Sequence, residues 1–431
     1  MRPESPDTIG IDFGTTNSAI ARTPPSGVTE VVRFPTVSGL TEVYRSILYF
    51  ERHNAPHGTT VQAWTGPAAI EHYLAAETRG RLIQSLKSFL SSRTLESTEV
   101  FGRRHTLEAL IARILRDLRE GAEAHFACDL RAAVVGRPVW FVGAENDADN
   151  AFAEARLGKA LRQAGFEHVR FELEPVAAAR FYEASLDHDE LILIGDFGGG
   201  TSDFSLMRVG PGLREGGHTG AQLLGNAGVG LAGDAFDAAI IRHLVSPALG
   251  AGGQMQSMGK VLPVPISPYS KLERWHYLSL LRNRQVLAEL EQVRGMADEP
   301  ERIAALIHLI KNDLGYQLHR SVQALKIRLS TSDAGTFHFR DGALDIDASV
   351  TRPEFESWIV DELQRIESCV DGLLQSANVG PDSVDAVFLT GGTSLVPAVR
   401  RIFESRFGAA RIRAGEEFTS VVRGLSLYDD L

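Results

Sequence analysis

The chain has 431 residues, 44% of them hydrophobic, which is the length of about three domain-sized cores and the composition of a globular protein. Its formal charge of −11, with no basic stripe, argues against a nucleic-acid partner, because phosphate backbones are held by clustered Lys and Arg. Two isolated cysteines, Cys128 and Cys369, make neither a disulfide framework nor a paired-thiolate metal site, and no apolar signal core or membrane-length run occurs, so a cytoplasmic protein with no membrane partner is expected.

In chain order, residues 8–20 read as a strand, a tight turn of small residues and a second strand. Residues 31–50 are mixed, 51–73 polar and aromatic, and helical patterning runs through 107–115. A strand is predicted over 131–139 and a helix over 147–164. The strand–turn–strand plan then recurs at 191–206, as two similar half-molecules facing a shared cleft would require. After it, 217–233 is glycine-rich, and 251–269, rich in Gly, Pro, Met and Ser, reads as a loop. From 271 to 329 the pattern is helical. Leu278, Leu281, Val286, Leu290, Ile303, Leu306, Ile310, Leu314, Leu318, Val322, Leu325 and Leu329 recur at three- and four-residue spacing, with a break near Asp298-Glu299-Pro300. A short β segment (336–346), a helix (352–376), a strand (384–390), a Gly-Gly turn and a helix (397–407) follow. Strands alternating with helices indicate an α/β architecture.

The two repeated turns carry the chemistry. In Asp12-Phe13-Gly14-Thr15-Thr16-Asn17, small residues let backbone N–H groups approach phosphate oxygens, and Thr and Asn add side-chain donors. Asp196-Phe197-Gly198-Gly199-Gly200-Thr201 repeats the arrangement. A pair of such turns, each led by an Asp, supplies two phosphate cradles with Asp12 and Asp196 placed to meet Mg²⁺, as phosphoryl transfer requires. A third element, Phe388-Leu389-Thr390-Gly391-Gly392-Thr393-Ser394-Leu395-Val396-Pro397, is a strand entering a Gly-Gly turn ahead of a helix that starts at the favoured proline position. Exposed backbone there can lie against a flat nucleoside.

Together these segments resemble the nucleotide-binding domain of the 70-kilodalton heat-shock chaperone family, within the superfamily that includes actin and hexokinase. Residues 9–18 resemble its first phosphate motif, 196–203 its second and 388–397 its adenosine motif. Leu86-Lys87-Ser88, Glu174-Pro175-Val176-Ala177-Ala178-Ala179, Gly233-Asp234-Ala235-Phe236-Asp237, Lys326 with Ser330, and Val350-Thr351-Arg352-Pro353-Glu354-Phe355 match further family segments in order, over residues 8–425. The resemblance implies an actin-like ATPase fold of the α/β class, with two lobes, each a ribonuclease-H-like mixed sheet flanked by helices. Lobe I would be 1–188 with an inserted subdomain at about 40–106, and lobe II 189–431 with an enlarged helical subdomain at about 231–349. Residues 271–313 resemble an insertion, and no peptide-binding domain is expected, as in the short bacterial branch of the family.

The same resemblance implies ATP and ADP as ligands and Mg²⁺ as cofactor. Gly14, Thr15, Thr16, Asn17 and Gly198, Gly199, Gly200, Thr201 would bind the phosphates, and Gly233, Lys326, Ser330, Gly391, Gly392 and Thr393 the rest of the nucleotide. Asp12, Glu174 and Asp196 would surround the hydrated metal. Lys87, Glu174, Asp196 and Thr201 would carry catalysis, with Asp196 orienting the attacking water and Lys87 neutralising the γ-phosphate. A client or partner protein would be engaged through the helical subdomain. Three departures stand out. Ile327 and Leu395 replace the two arginines that stack on adenine in the family, which removes cation–π attraction, and Gln323 replaces an acid. The alternatives are a sugar-type kinase on the same fold, a non-hydrolysing nucleotide sensor and an actin-like filament protein.

Other patterns carry less. Residues 253–260 imitate a P-loop, but the spacing is one residue too long and Val261 stands where a metal-binding hydroxyl belongs. His53 and His57 lack metal-ligand companions, and no G-x-S-x-G elbow occurs. Trp275, Tyr277, Leu278 and Leu281 read as helical core.

Overall fold

The computed structural model describes residues 8–428 apart from 25–26, 38, 56–57, 77–79, 184–185, 216–220, 258, 274–280, 282, 343 and 414–418. The chain divides into two compact units: Met1–Gly230, Cys369–Gly392 and Phe403–Leu431 form the first, and Leu231–Ser368 with Thr393–Ile402 the second.

The first unit holds two sheets built to one plan. In the first, Thr8–Phe13 pairs antiparallel with Asn17–Arg22 across the 14–16 turn and parallel with Ala132–Arg137, which pairs parallel with His168–Leu173. In the second, Glu190–Phe197 pairs antiparallel with Ser202–Val209 across the 198–201 turn and parallel with Ala386–Thr390, which pairs with Ile412–Arg413. The first antiparallel arm gains two more strands, Glu30–Val31 and Tyr44–Arg45, and the second gains Ala221–Val229. The repeat legible at 8–20 and 191–206 is therefore a repeat of strand order and direction.

Glu190–Phe197 is apolar on both faces, as befits a strand covered on two sides, whereas Thr8–Phe13 puts Ile9, Ile11 and Phe13 on one face and Thr8, Gly10 and Asp12 on the other. Ile9, Ile11, Phe13 and Ile20 pack with Leu110, Ile111, Ile114, Leu115, Leu157 and Leu161 from the helices Leu107–Phe126 and Asp147–Ala164. Burying each such side chain is worth about 1.5–3 kcal/mol. Local signals fix both helices: Thr106 and Asn146 accept the N–H groups of Ala109 and Asp149, and Gly165 ends the second at φ +105°. Behind the second sheet, Ile192, Ile194, Met207 and Val209 pack with Ala178 and Ala179 of the helix Glu174–Glu183.

A short helix, Ser420–Leu425, closes on the first sheet through three small residues. A Cβ on Gly424 would lie 1.7 Å from the Ala177 carbonyl oxygen, and one on Gly10 2.6 Å from Ser426 N. Glycine is required at these contacts because backbone meets backbone.

In the second unit the helices Arg284–Met296, Pro300–Lys311 and Gly315–Thr331 account for the helical pattern, with Leu290, Ile303, Leu306, Ile310, Leu318, Val322, Leu325 and Leu329 buried. Leu281 is buried, while Trp275, Tyr277 and Leu278 lie outside the described residues, as does His57. Two expectations need correcting. The stretch 251–269 is not a loop throughout: Gln254–Ser257 and Lys260–Pro263 pair as a hairpin, followed by the helix Ser267–Leu272, so the P-loop look-alike is a β-hairpin. Cross-strand pairs such as Met255 with Leu262 outweigh the turn-rich composition. The helix over 352–376 is two, Arg352–Trp358 and Val360–Ser376, parted at Ile359; a Thr351–Glu354 capping box starts the first. No described helix is long and apolar enough to cross a membrane.

Candidate functional site

Asp12 stands near the end of Thr8–Phe13, one residue before the turn. That turn is fixed from outside. Ser46 donates its N–H to the Thr16 carbonyl (2.9 Å) and its hydroxyl to the Gly14 carbonyl (2.7 Å), and lies 2.8 Å from the Ser18 hydroxyl. Arg45, opposite Asn17 in register, donates to the Asn17 amide oxygen at 3.1 Å. Gly14 admits no other residue without movement, since a Cβ would sit 2.1 Å from the Asn17 carbonyl oxygen.

The second turn closes on itself: Gly198 N–H donates to the Thr201 carbonyl at 2.9 Å and the Thr201 hydroxyl to Asp203 Oδ2 at 3.0 Å. Asp196 sits in register between Asp203 and Thr390 and accepts a hydrogen bond from the Thr390 hydroxyl at 2.7 Å. Beyond Thr390, Gly391 turns at φ +82° with its Cα against the Phe197 carbonyl, where a Cβ would approach to 2.0 Å. Gly392 follows in the same unit.

Lys87 is buried on a short 3-10 turn, Leu86–Phe89, and its Nζ lies 2.7 Å from Glu174 Oε1, on the first residue of the helix Glu174–Glu183. These groups share one field. Burial, then Glu174 and Asp196, push Asp12 up to about 7 against the pull of Lys87. Burial and Asp196 push Asp203 up to about 7 as well, and burial and Glu174 raise Asp196. Burial alone would lower Lys87, but Glu174, Asp12 and Asp196 outweigh it and hold the ammonium above its usual value. Four partly buried carboxyl groups crowd one amine, which is why three of them hold their protons more tightly than usual, and a cation among them would relieve that crowding. Among the described residues no three His, Cys, Asp or Glu side chains are arranged to ligate a metal ion together.

In the second unit, Lys326 Nζ lies 2.8 Å from Asp237 Oδ1 and donates to the Gly233 carbonyl at 3.2 Å, and the Ser330 hydroxyl donates back to the Lys326 carbonyl at 3.0 Å. Thr393 is buried there, with its carbonyl accepting Val396 N–H at 3.1 Å. Ile327 and Leu395, in contrast, are 65% and 48% exposed.

The family model described as Hsp70 protein matches residues 83–251 and 305–424. The chain belongs to the Hsp70 family. The "Chaperone protein DnaK" of Thermotoga petrophila and that of Thermotoga maritima are each 27% identical to it over 405 residues, 93% of this chain and 55% of theirs. That of Thermosipho melanesiensis is 25% identical over the same shares. The chain thus spans about half the length of the curated relatives it matches. An Hsp70 chain has the actin-like ATPase fold, and the paired mixed sheets are its two repeated halves. Between the two matched stretches, 252–304 contains the 254–263 hairpin and the helix Arg284–Met296; residues 1–82, with the first turn, also lie outside the match.

Three residues that the sequence did not single out lie at these turns: Arg45 and Ser46, which hold the first, and Asp203, which holds Thr201. Asp203 lay in plain view beside the second turn. Arg45 and Ser46 sit on the far side of a loop, and their pairing with 14–18 is a property of strand register that local pattern does not encode.

Proposed function

We propose that this Hsp70-family chain is an ATP-binding, ATP-hydrolysing switch of the chaperone type, dependent on Mg²⁺. The observation that carries this reading is the buried Lys87 set among the partly buried carboxyl groups of Asp12, Glu174 and Asp196, beside two small-residue turns. In this reading Gly14–Asn17 and Gly198–Thr201 supply backbone and hydroxyl donors to the β- and γ-phosphates. Asp196, its carboxyl fixed by Thr390, orients the water that attacks the γ-phosphorus as the bond to ADP breaks. Lys87, kept charged by Glu174, offsets the charge that builds on the phosphoryl oxygens. Asp12, Glu174 and Asp196 would hold Mg²⁺, which would supply neutralisation of the phosphate charge. Gly233, Lys326, Ser330, Gly391, Gly392 and Thr393 are assigned to the nucleoside and sugar, with the exposed Ile327 and Leu395 offering apolar packing to the base. Coupling of hydrolysis to lobe movement, and engagement of a client or partner protein through the second unit, complete the proposal.

Calorimetric titration of wild type and Asp196→Asn with ATP, ADP and GTP in the presence of Mg²⁺, with phosphate release in parallel, tests it. Binding by both proteins and hydrolysis only by the wild type is the expected result. No binding at millimolar nucleotide overturns the reading.

A further inference from the structure

Lys87 is delivered to Glu174 by a backbone that has little to hold it in place by itself. The turn Leu86–Phe89 is one of 3-10 type, a form with poor internal hydrogen-bond geometry, and it is entered through Ser85 in the left-handed region at φ 55°. A non-glycine residue there is strained and persists only where its surroundings impose it.

The backbone that follows the turn is held from one layer behind. Arg156, on the helix Asp147–Ala164, is 6% exposed and directs both terminal nitrogens of its guanidinium at residues 89–95. Nη1 donates to the carbonyls of Phe89 and Leu90 at 3.3 Å and of Ser92 at 2.9 Å, and Nη2 donates to Leu95 at 3.0 Å. Its Nε donates to Glu108 Oε1 at 2.9 Å, on the first turn of the neighbouring helix. The same helix reaches the segment a second time, as Arg93 pairs with Asp149 at 3.0 Å and lies over Phe152. Ser91 donates to the Val142 carbonyl. A buried ion pair adds little to stability over a well-packed apolar pair. Four carbonyls gathered by one rigid fork, in contrast, fix the position of a loop, and Lys cannot reproduce that geometry.

We propose that Arg156, oriented by Glu108, is a positioning residue that sets Lys87 at the phosphate site by holding the 89–95 backbone. The proposal rests on the assignment of Lys87 to the γ-phosphate, and its test includes two readouts that need no turnover. Arg156→Lys and the charge-neutral double variant Glu108→Gln/Arg156→Gln are compared with wild type, each with and without Lys87→Ala. Amide hydrogen exchange across 86–95 is expected to rise about tenfold in both while the helix Leu107–Phe126 keeps its protection. Acylation of the Lys87 amine by a reactive ester, read by peptide mass, is expected to speed up as its pairing with Glu174 loosens. With Mg²⁺ and ATP, kcat is expected to fall on the order of a hundredfold at near-constant KM, with no further loss once Lys87 is already Ala.

Wild-type exchange and wild-type Lys87 reactivity in both variants overturn the proposal, whatever the turnover. A kcat loss that multiplies in the Lys87→Ala background also overturns it, because Arg156 would then act through another group. If the wild type neither binds nor hydrolyses ATP, the ATPase reading falls, and exchange and acylation still decide the role of Arg156. Arg156→Lys keeps the buried charge paired, so it carries the test if the double variant does not fold.

Discussion

The turn at 14–17 leans on its neighbours, whereas the turn at 198–201 closes on itself. The first takes two hydrogen bonds from Ser46 and one from Arg45, and has no room for a side chain at Gly14. The second is tied by its own Gly198–Thr201 and Thr201–Asp203 bonds; a Cβ on Gly198 would make only an ordinary 3.4 Å contact, and one on Gly200 would meet nothing within 4 Å. Two sequences that look like copies thus use glycine for different reasons. In the first it is demanded by the fold, and in the second it leaves backbone open to an incoming ligand.

That contrast can be broken by substitution. Gly14→Ala forces a backbone clash, and the expected cost is about 4 kcal/mol in chemical denaturation, or loss of the folded protein; near-wild-type stability would show that the first turn yields. The next largest effect concerns the acid behind the second turn. Asp203 has an ordinary value of 3.8, raised to about 7 in the folded chain, so the folded state holds its proton more tightly. Its contribution to stability is present below 3.8 and is lost as pH rises to about 7, by at most about 1.4 kcal/mol per pH unit. Without nucleotide, the stability gain from Asp203→Asn should therefore grow with pH across that window in denaturation midpoints, and a constant difference would contradict the charge cluster.

Ser46→Ala removes the hydroxyl bond to Gly14 and should cost about 1–2 kcal/mol while weakening nucleotide binding. Gly200→Ala should leave stability within about 0.5 kcal/mol but lower ATP affinity about tenfold, equivalent to about 1.4 kcal/mol. Equal behaviour of Gly200→Ala and Gly14→Ala would erase the distinction between the turns.

Much of this was legible in the sequence for physical reasons. The helices Asp147–Ala164 and Pro397–Phe407 announce themselves through caps, proline and period, and the repeated Asp-Phe-Gly turns mark both central hairpins. What local pattern does not carry is what one segment does to another. Ser46 and Arg45 reach the first turn across 28 or more positions, and Arg156 reaches Leu90 across 66. An arginine in an otherwise amphipathic helix looks like a solvated side chain until its burial is seen. The hairpin at 254–263 was hidden by a composition typical of loops, because its strands are defined by each other.

The helix Ser420–Leu425 has a consequence for how the protein is made. It covers Gly10 and Ala177, and Ser426 touches Thr23 across 403 positions of chain at 2.7 Å between hydroxyls. During synthesis the earliest strands therefore leave the ribosome long before their cover exists. Contacts of such sequence separation slow folding and leave intermediates exposed. The cover over Gly10 and Ala177 is therefore complete only once residue 426 has emerged.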